Sequence, residues 1–428
     1  MAKITLNHIT KVEGHANLSV EIKNNKLVRC ELGSIEGTRF FEGIVVGRRY
    51  DEIKEITSRI CGICSVSHSM TSLKATEKAF DVKVTKQTEI LRELMSIGER
   101  IRSHATHLYF LVLPDYLGFE SAIPMAKQYQ KEVFRALDLV KIGNEIVLKT
   151  GGRQMHPISC VVGGFTSVPS KEDCDYLLSE LKKSRKKAFD TLELFCKLKY
   201  PKVELDMEQI SLKPETSQPM LKGAIVSNKG LNVSENKYSD FIDEKIESYS
   251  TAKFAVKNGK SYLLGALSRV GNNFECFAVD IKKVISKYKF IFPSKNIFNQ
   301  NVAQAAELVY WLDEAISILE NNEFELQKLV FVSVKAGTGR AATEAPRGIL
   351  FHEYSFDDSG NVTHCNIMTP TCQNLRGMEE YVHAFIELLL KKKVKKKEII
   401  LEIEKLIRAY DPCFSCSTHF LQVDWLQK

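Results

Sequence analysis

Two short stretches at opposite ends of the chain carry residue types that bind metal. Near the start stands Arg59-Ile-Cys61-Gly-Ile-Cys64-Ser-Val-Ser-His68, and near the finish stands Asp411-Pro-Cys413-Phe-Ser-Cys416-Ser-Thr-His419. A C-x-x-C unit puts two sulfurs on one tight turn, close enough to chelate one ion. Two such units make a four-thiolate site once the fold joins them. Structural zinc usually stitches a small local domain, its second pair following within tens of residues. A span across nearly the whole chain suits a buried active-site metal better, although on residue chemistry alone a zinc staple of four cysteines stays open. A redox C-x-x-C of thioredoxin type fits worse, because neither pair follows a βαβ pattern.

The residues flanking these cysteines, R-x-C-G-x-C-x-x-x-H and D-P-C-x-x-C-x-x-H, resemble the paired signature of [NiFe] hydrogenase large subunits. The resemblance runs over nearly the full length. It takes in Lys11-Val-Glu13-Gly-His15, Arg39-Phe-Phe-Glu42, Ser103-His104 through Leu113-Pro-Asp115, Gly152-Arg153 with His156-Pro157, Glu344-Ala-Pro-Arg347-Gly, and Thr369-Pro-Thr371. Within the family, the stretches EGTRFFEGIVVGRR, LVLPDYLG and ATEAPRGIL are most similar to the α subunits of soluble, NAD(P)-linked hydrogenases (sulfhydrogenases).

The resemblance implies a role for each motif residue. Cys61 and Cys413 would be terminal ligands of nickel. Cys64 and Cys416 would bridge to an iron whose other ligands are CO and cyanide. Hydrogen would be split heterolytically, the Cys413 thiolate taking the proton and passing it to Glu13, for which the plain alternative is a turn carboxylate. Arg347 and Thr371 would face the cyanides, with Asp115 and Asp411 anchoring the arginine; each aspartate adjoins a proline and could instead merely shape a turn. His68 would hydrogen-bond a bridging sulfur, while His104, on an apolar helix face, reads as a core histidine. Glu42, the Ile367 carbonyl and His419 would hold a separate Mg2+ or Fe2+. Residues 420–428 would be a tail removed after His419 by a nickel-dependent maturation endopeptidase; a frayed terminus is the plain alternative.

These residues need a scaffold. Leu18, Val20 and Ile22 alternate as a strand, Asn24-Asn25 turns it, and Leu27–Leu32 returns. Ile90, Leu94, Ile97, Ile101, His104, Leu108 and Leu111 fall on one face of a long helix. A second helix spans Met125–Thr150 and stops at Gly151-Gly152. Ser170 with Asp173 forms a capping box opening a third over Lys171–Lys197. A fourth carries Ala305, Leu308, Leu312, Ile316 and Leu319. Leu329–Lys335 reads as a strand, and Glu379–Leu390 and Glu398–Tyr410 as closing helices. Pro201–Phe292 is mixed, turn-rich and unassigned. With neither repeat nor linker visible, residues 1–428 form one domain. Its class is α+β, mainly α: a long-helix bundle with small peripheral β-sheets, as the resemblance also implies.

Composition sets the outer limits. The net charge of +7 on 428 residues is spread along the chain. The one dense basic run, Lys391–Lys397, lacks aromatic interleaving and reads as a solvated helix connection, not a nucleic-acid or membrane patch. MAKITLNHIT has no apolar signal region, and no apolar stretch is long enough to span a bilayer. Eleven cysteines without an export signal point to reduced thiols in a cytoplasm. Gly337-Thr-Gly339-Arg-Ala-Ala342 imitates a dinucleotide-binding turn, but Pro346 interrupts where its helix should run, so the segment reads as a loop carrying Arg347. The remaining seven cysteines show no cluster spacing. Electrons would therefore leave through a separate iron–sulfur small subunit and, by the finer resemblance, flavin and iron–sulfur diaphorase subunits. Rival readings are sulfur or polysulfide reduction by the same assembly, a non-catalytic quinone-reductase-like relative (a class that has lost the four cysteines this chain keeps), and a zinc-thiolate structural subunit.

Overall fold

The computed structural model describes residues 2–6, 8–23, 26–215 and 217–418. An antiparallel sheet of β1 (Ala2–Leu6), β2 (Ala16–Lys23) and β3 (Lys26–Ser34) opens the chain. In β2 buried residues alternate with half-buried ones, as the sequence alternation requires. Helix α1 (Ser65–Ala79) follows the first cysteine pair, and α2 (Lys86–Thr106) follows α1. Thr85 caps α2 by accepting from the Thr88 amide, and Leu94, Ile97 and Ile101 on its inner face are fully buried.

Beyond Thr106 the helix widens. His107–Val112 is a π-helical stretch, a form that often marks functional sites, before α-helical winding resumes at Leu113–Leu117. The expected Met125–Thr150 helix is two helices, Ala122–Ala126 and α3 (Gln130–Gly151). Tyr129 leaves helical geometry between them, and α3 ends as Gly152 takes a left-handed conformation at φ 76°. The expected capping box stands at the start of α4 (Lys171–Lys197), with Ser170 and Asp173 bonding reciprocally.

Helices α2, α3, α4 and α6 (Gln300–Asn321) pack into the main core, fed on its other side by a short helix, α5 (Ala266–Asn272). Closest approach comes where α2 crosses α3 through two glycines: a Cβ on Gly98 would lie 2.8 Å from the Gly143 carbonyl oxygen, and one on Gly143 2.6 Å from that of Gly98. The unassigned 201–292 region folds as small sheets and short helices, one sheet pairing Tyr262–Leu263 parallel to Glu208–Gln209.

A second sheet faces α1. It consists of β4 (Gly337–Ala345), β5 (Gly348–Phe356) and β6 (Val362–Met368), paired antiparallel in that order. Two expectations are corrected here. Gly337–Ala342 is strand, not loop, because it pairs residue for residue with β5, and only Pro346-Arg347 forms the turn. Leu329–Lys335 is extended but belongs to no strand; among its described backbone groups Val330 N–H donates to the Gly163 carbonyl, and no sheet partner runs alongside. Helices α7 (Pro370–Lys391) and α8 (Lys396–Ala409) are the last two α-helices of the described residues. The basic run connects them, as expected. No helix among the described residues is long and apolar enough to cross a membrane.

Candidate metal centre

The two cysteine pairs meet. Cys61 follows a 3-10 turn (Ser58–Ile60), and Cys64 stands immediately before α1. Cys413 follows α8, and Cys416 sits in a 3-10 turn (Ser415–Ser417). Across 352 residues, Cys61 Sγ lies 3.7 Å from Cys413 Sγ, and Cys64 Sγ 3.7 Å from Cys416 Sγ. All four sulfurs lie within 4.8 Å of one another and are buried, the one such group of metal-binding side chains among the described residues.

Several contacts hold the turns. The Glu99 carboxylate on α2 accepts from the first amides of α1, Val66 at 2.6 Å and Ser67 at 3.0 Å, a carboxylate placed at a helix N-terminus. Arg102, one turn on, donates to the Ile63 carbonyl at 2.7 Å, inside the first C-x-x-C. Arg39 links the two motifs by donating to the Ile60 carbonyl at 2.7 Å and to that of Ser415. The N-terminal segment reaches the second pair directly: Glu13 and Cys413 form a parallel bridge, and Phe414 N–H donates to the Glu13 carbonyl at 3.0 Å.

Beside the sulfurs is a pocket lined by Cys64, His68, Pro346, Arg347, Thr371, Cys413 and Cys416. Arg347 occupies the β4–β5 turn. Its Nε donates to the Asp411 carbonyl at 2.6 Å and to Oδ1 at 3.1 Å, and Nη2 lies 3.0 Å from Oδ1. Its Nη1 is buried without a hydrogen-bond partner. A tetrahedral metal with sulfur bonds near 2.3 Å spaces its sulfurs about 3.8 Å apart, so the sulfur geometry alone suits zinc as well as nickel. What sets this site apart is the buried guanidinium beside the sulfurs. A cavity with an unspent guanidinium N–H is built for a further acceptor.

Comparison with known proteins decides the family. The model of the nickel-dependent hydrogenases matches residues 39–137 and 278–419, which include both cysteine pairs. The α subunit of sulfhydrogenase 1 from Pyrococcus furiosus is 36% identical over 424 residues, 98% of each chain. The chain belongs to the nickel-dependent hydrogenases. The sulfhydrogenase 2 α subunit of the same organism is 32% identical, covering 98% of this chain and all of that one. In fold, this hydrogenase large subunit matches an NAD+-reducing [NiFe]-hydrogenase in the H2-reduced state with a TM-score of 0.89, at 23% identity over 98% of the chain. It matches a [NiFeSe]-hydrogenase of Dm. baculatum at 0.80, with 22% identity over 98%.

The other expected site residues fall into three groups. At the sulfurs, the Cys413 thiol donates to Glu13 Oε2 at 2.9 Å, and Ser415 Oγ donates to Oε1. Thr371 lines the pocket and accepts from the Cys413 amide at 2.9 Å. His68 lines it too, its Nδ1 3.2 Å from His352 Nε2, which in turn leads to Tyr354. His352 was missed by the sequence reading, as were Glu99, Arg102 and Arg39 as braces.

Asp115 departs from expectation. Its carboxylate takes Arg408 Nη1 at 2.6 Å and Lys11, so it ties α8 and the N-terminal segment to the end of the π-helical stretch, and does not anchor Arg347. The physical reason is charge balance: Asp411 is the carboxylate paired with Arg347, and two cations already occupy Asp115.

The third group is the expected hard-cation site. Glu42 Oε1 accepts from the Ile367 amide at 2.9 Å, and Lys253 Nζ lies 3.2 Å from the same oxygen. Burial raises the Glu42 carboxyl above its ordinary range, against the pull of Lys253. His419 and residues 420–428 lie outside the described residues.

Hydrogen bonds from Cys413, Cys416 and Cys64 hold the Cys61 thiol well below its usual range, and Arg347 adds to this. Burial pushes Cys413 and Cys416 well above theirs. For Arg347 itself burial acts to lower the value, but Asp411 and the sulfurs outweigh it and hold the guanidinium well above its usual range. The pocket is therefore a fixed positive charge facing a set of thiols that metal binding would deprotonate.

Proposed function

We propose that this large subunit oxidises hydrogen reversibly at a nickel–iron pair that Cys61, Cys64, Cys413 and Cys416 would hold. The observation that carries this reading is the buried, unpartnered Nη1 of Arg347, a residue that lines the pocket beside four converging sulfurs. Small anionic acceptors such as cyanide fit that N–H, with Thr371 as neighbour. When bound, the metals supply heterolytic cleavage of H2. The chain's own part is to hold them, keep water out and carry the proton, from the Cys413 sulfur to Glu13 Oε2 over 2.9 Å. His68 would orient one of the sulfurs it lines the pocket with, its ring fixed through His352.

A separate Mg2+ or Fe2+ at Glu42, the Ile367 carbonyl and His419 belongs to the same reading, with Lys253 and Glu244 beside it. The family match ends at residue 419, which agrees with endopeptidase removal of 420–428 after His419 and a mature single domain of residues 1–419. Electrons leave to an iron–sulfur small subunit and on to NAD(P) through flavin and iron–sulfur subunits, in the cytoplasm. The relatives' names support this route, and they also suggest sulfur reduction on the partner subunits.

The test is elemental analysis with infrared spectroscopy of the purified complex. Nickel and iron together, with bands of metal-bound CO and cyanide, are expected, and Cys416→Ser should remove both bands and hydrogen turnover. Zinc alone would overturn the reading. Intact mass in nickel-loaded enzyme should end at His419; an uncut tail in active enzyme would contradict the processing step.

A further inference from the structure

Five ionisable side chains outside the metal centre form one cluster sealed in the core: Arg100 and His104 on α2, Arg269 on α5, Glu307 on α6 and Glu344 at the end of β4. Each is no more than 2% exposed. Arg269 uses every donor it has. Nε and Nη2 fork onto Glu307 at 2.7 and 2.8 Å, and Nη1 reaches Glu344 Oε2 at 3.1 Å. The two N–H groups left over go to backbone, Nη1 to the Ala345 carbonyl at 3.1 Å and Nη2 to the Pro346 carbonyl at 2.9 Å. Those carbonyls immediately precede Arg347.

The cluster grips the turn from other sides as well. Arg100 donates to the Glu344 carbonyl, and Glu344 Oε1 accepts from the Leu212 amide at 2.8 Å. His104 Nε2 lies 2.7 Å from Glu307 Oε2 and holds the carboxylate that aims Arg269. Burying such ions is a poor way to gain stability, since well-packed apolar residues of similar volume commonly do as well or better. A five-donor planar fork does fix geometry. A lysine would offer three donors from one point and could not span Glu307, Glu344 and two successive carbonyls.

We infer that Arg269 is a positioning residue: by clamping the Ala345 and Pro346 carbonyls it sets where the Arg347 guanidinium stands over the four sulfurs. The inference rests on the proposed function only where it concerns what Arg347 touches; the clamp itself belongs to the polypeptide.

The test uses Arg269→Lys in the full-length chain, with Arg92→Lys as control. Arg92 is an equally buried guanidinium forked onto Glu77 at 2.7 and 2.6 Å, away from the turn. Two readouts are taken. In the metal-free chain, amide hydrogen exchange at Gly348 and Ile349 should rise about 10-fold or more in Arg269→Lys and stay at the wild-type rate in Arg92→Lys. In the metal-loaded enzyme, the cyanide infrared bands should move in Arg269→Lys and remain in place in the control. Should Arg269→Lys not accumulate as folded protein, the same readouts on Glu307→Gln, which keeps side-chain volume and leaves the fork half-paired, decide the matter. Unchanged exchange and unchanged bands in a folded variant overturn the inference. Absence of cyanide bands in the wild type overturns the proposed function and leaves the exchange result to judge the clamp.

Discussion

The Arg347–Asp411 pair allows a prediction that needs no metal. Their side chains are 5% and 1% exposed, and the guanidinium meets the carboxylate through two contacts near 3 Å. Gln304 Nε2 adds a third bond to Asp411 Oδ2 at 3.1 Å. Asp411→Leu therefore strands a buried cation and an amide. Removing one member of a buried pair costs roughly 3–5 kcal/mol. Arg347→Met strands the carboxylate, with a loss in the same range. The double variant leaves neither charge, so its loss should fall at least ~2 kcal/mol short of the sum of the singles. Melting entropy near 2.1 cal/mol/K per residue makes ~1 kcal/mol equal about 1 °C for a chain of 428 residues. Each single should thus melt about 3–5 °C below wild type, and the double at least about 2 °C above the additive value. Calorimetry on the metal-free chain at one scan rate measures all four. Additivity within about 0.5 kcal/mol would refute the pairing, whatever the individual losses.

Other predictions concern separate contacts. Burial pushes His104 down to about 4 despite its bond to Glu307. The unfolded chain therefore takes the proton first as pH falls below about 6.5, and stability present above that value is lost progressively down to about pH 4. Between pH 7 and 5 wild type should lose about 2 kcal/mol more than His104→Gln, read from urea midpoints; equal losses would remove His104 from the account. Gly339 faces α1 so closely that a Cβ would lie 1.9 Å from the Ala75 carbonyl oxygen. Gly339→Ala should cost about 3 kcal/mol or more in the same assay, and an alanine tolerated without loss would show that β4 is not pressed against the helix. Glu13→Gln keeps shape but cannot accept the proton. Turnover should fall about 100-fold or more with nickel content unchanged, and near-normal turnover would exclude the relay.

Much of the centre was legible because its chemistry is local. A C-x-x-C turn declares itself wherever it occurs, and the Ser170 capping box and the buried face of α2 follow from spacing. What failed depended on distant partners. Asp115 looks like an anchor for Arg347, but only the fold shows that Arg408 and Lys11 reach it first. Leu329–Lys335 has the alternation of a strand, with Val330, Val332 and Val334 turned inward relative to Phe331, yet a strand also needs a neighbour. The apolar face from Ile90 to Leu111 was correct in content, but its periodicity cannot register the added residue of a π-helical stretch. Glu99, Arg102 and Arg269 were invisible for another reason. Charged residues on a core-facing helix carry no sign of purpose until the backbone groups they satisfy come within reach.

The bridge between Glu13 and Cys413 sets an order of events. At about 5–20 residues per second, a ribosome that has just released the first cysteine pair needs roughly 20–70 seconds more to deliver the second. During that interval two thiols, their helix and the Glu13 segment wait beside an incomplete pocket. Nickel can be gripped by four sulfurs only after the second pair has emerged, so machinery that delivers metal to all four must act on a polypeptide that already carries both pairs.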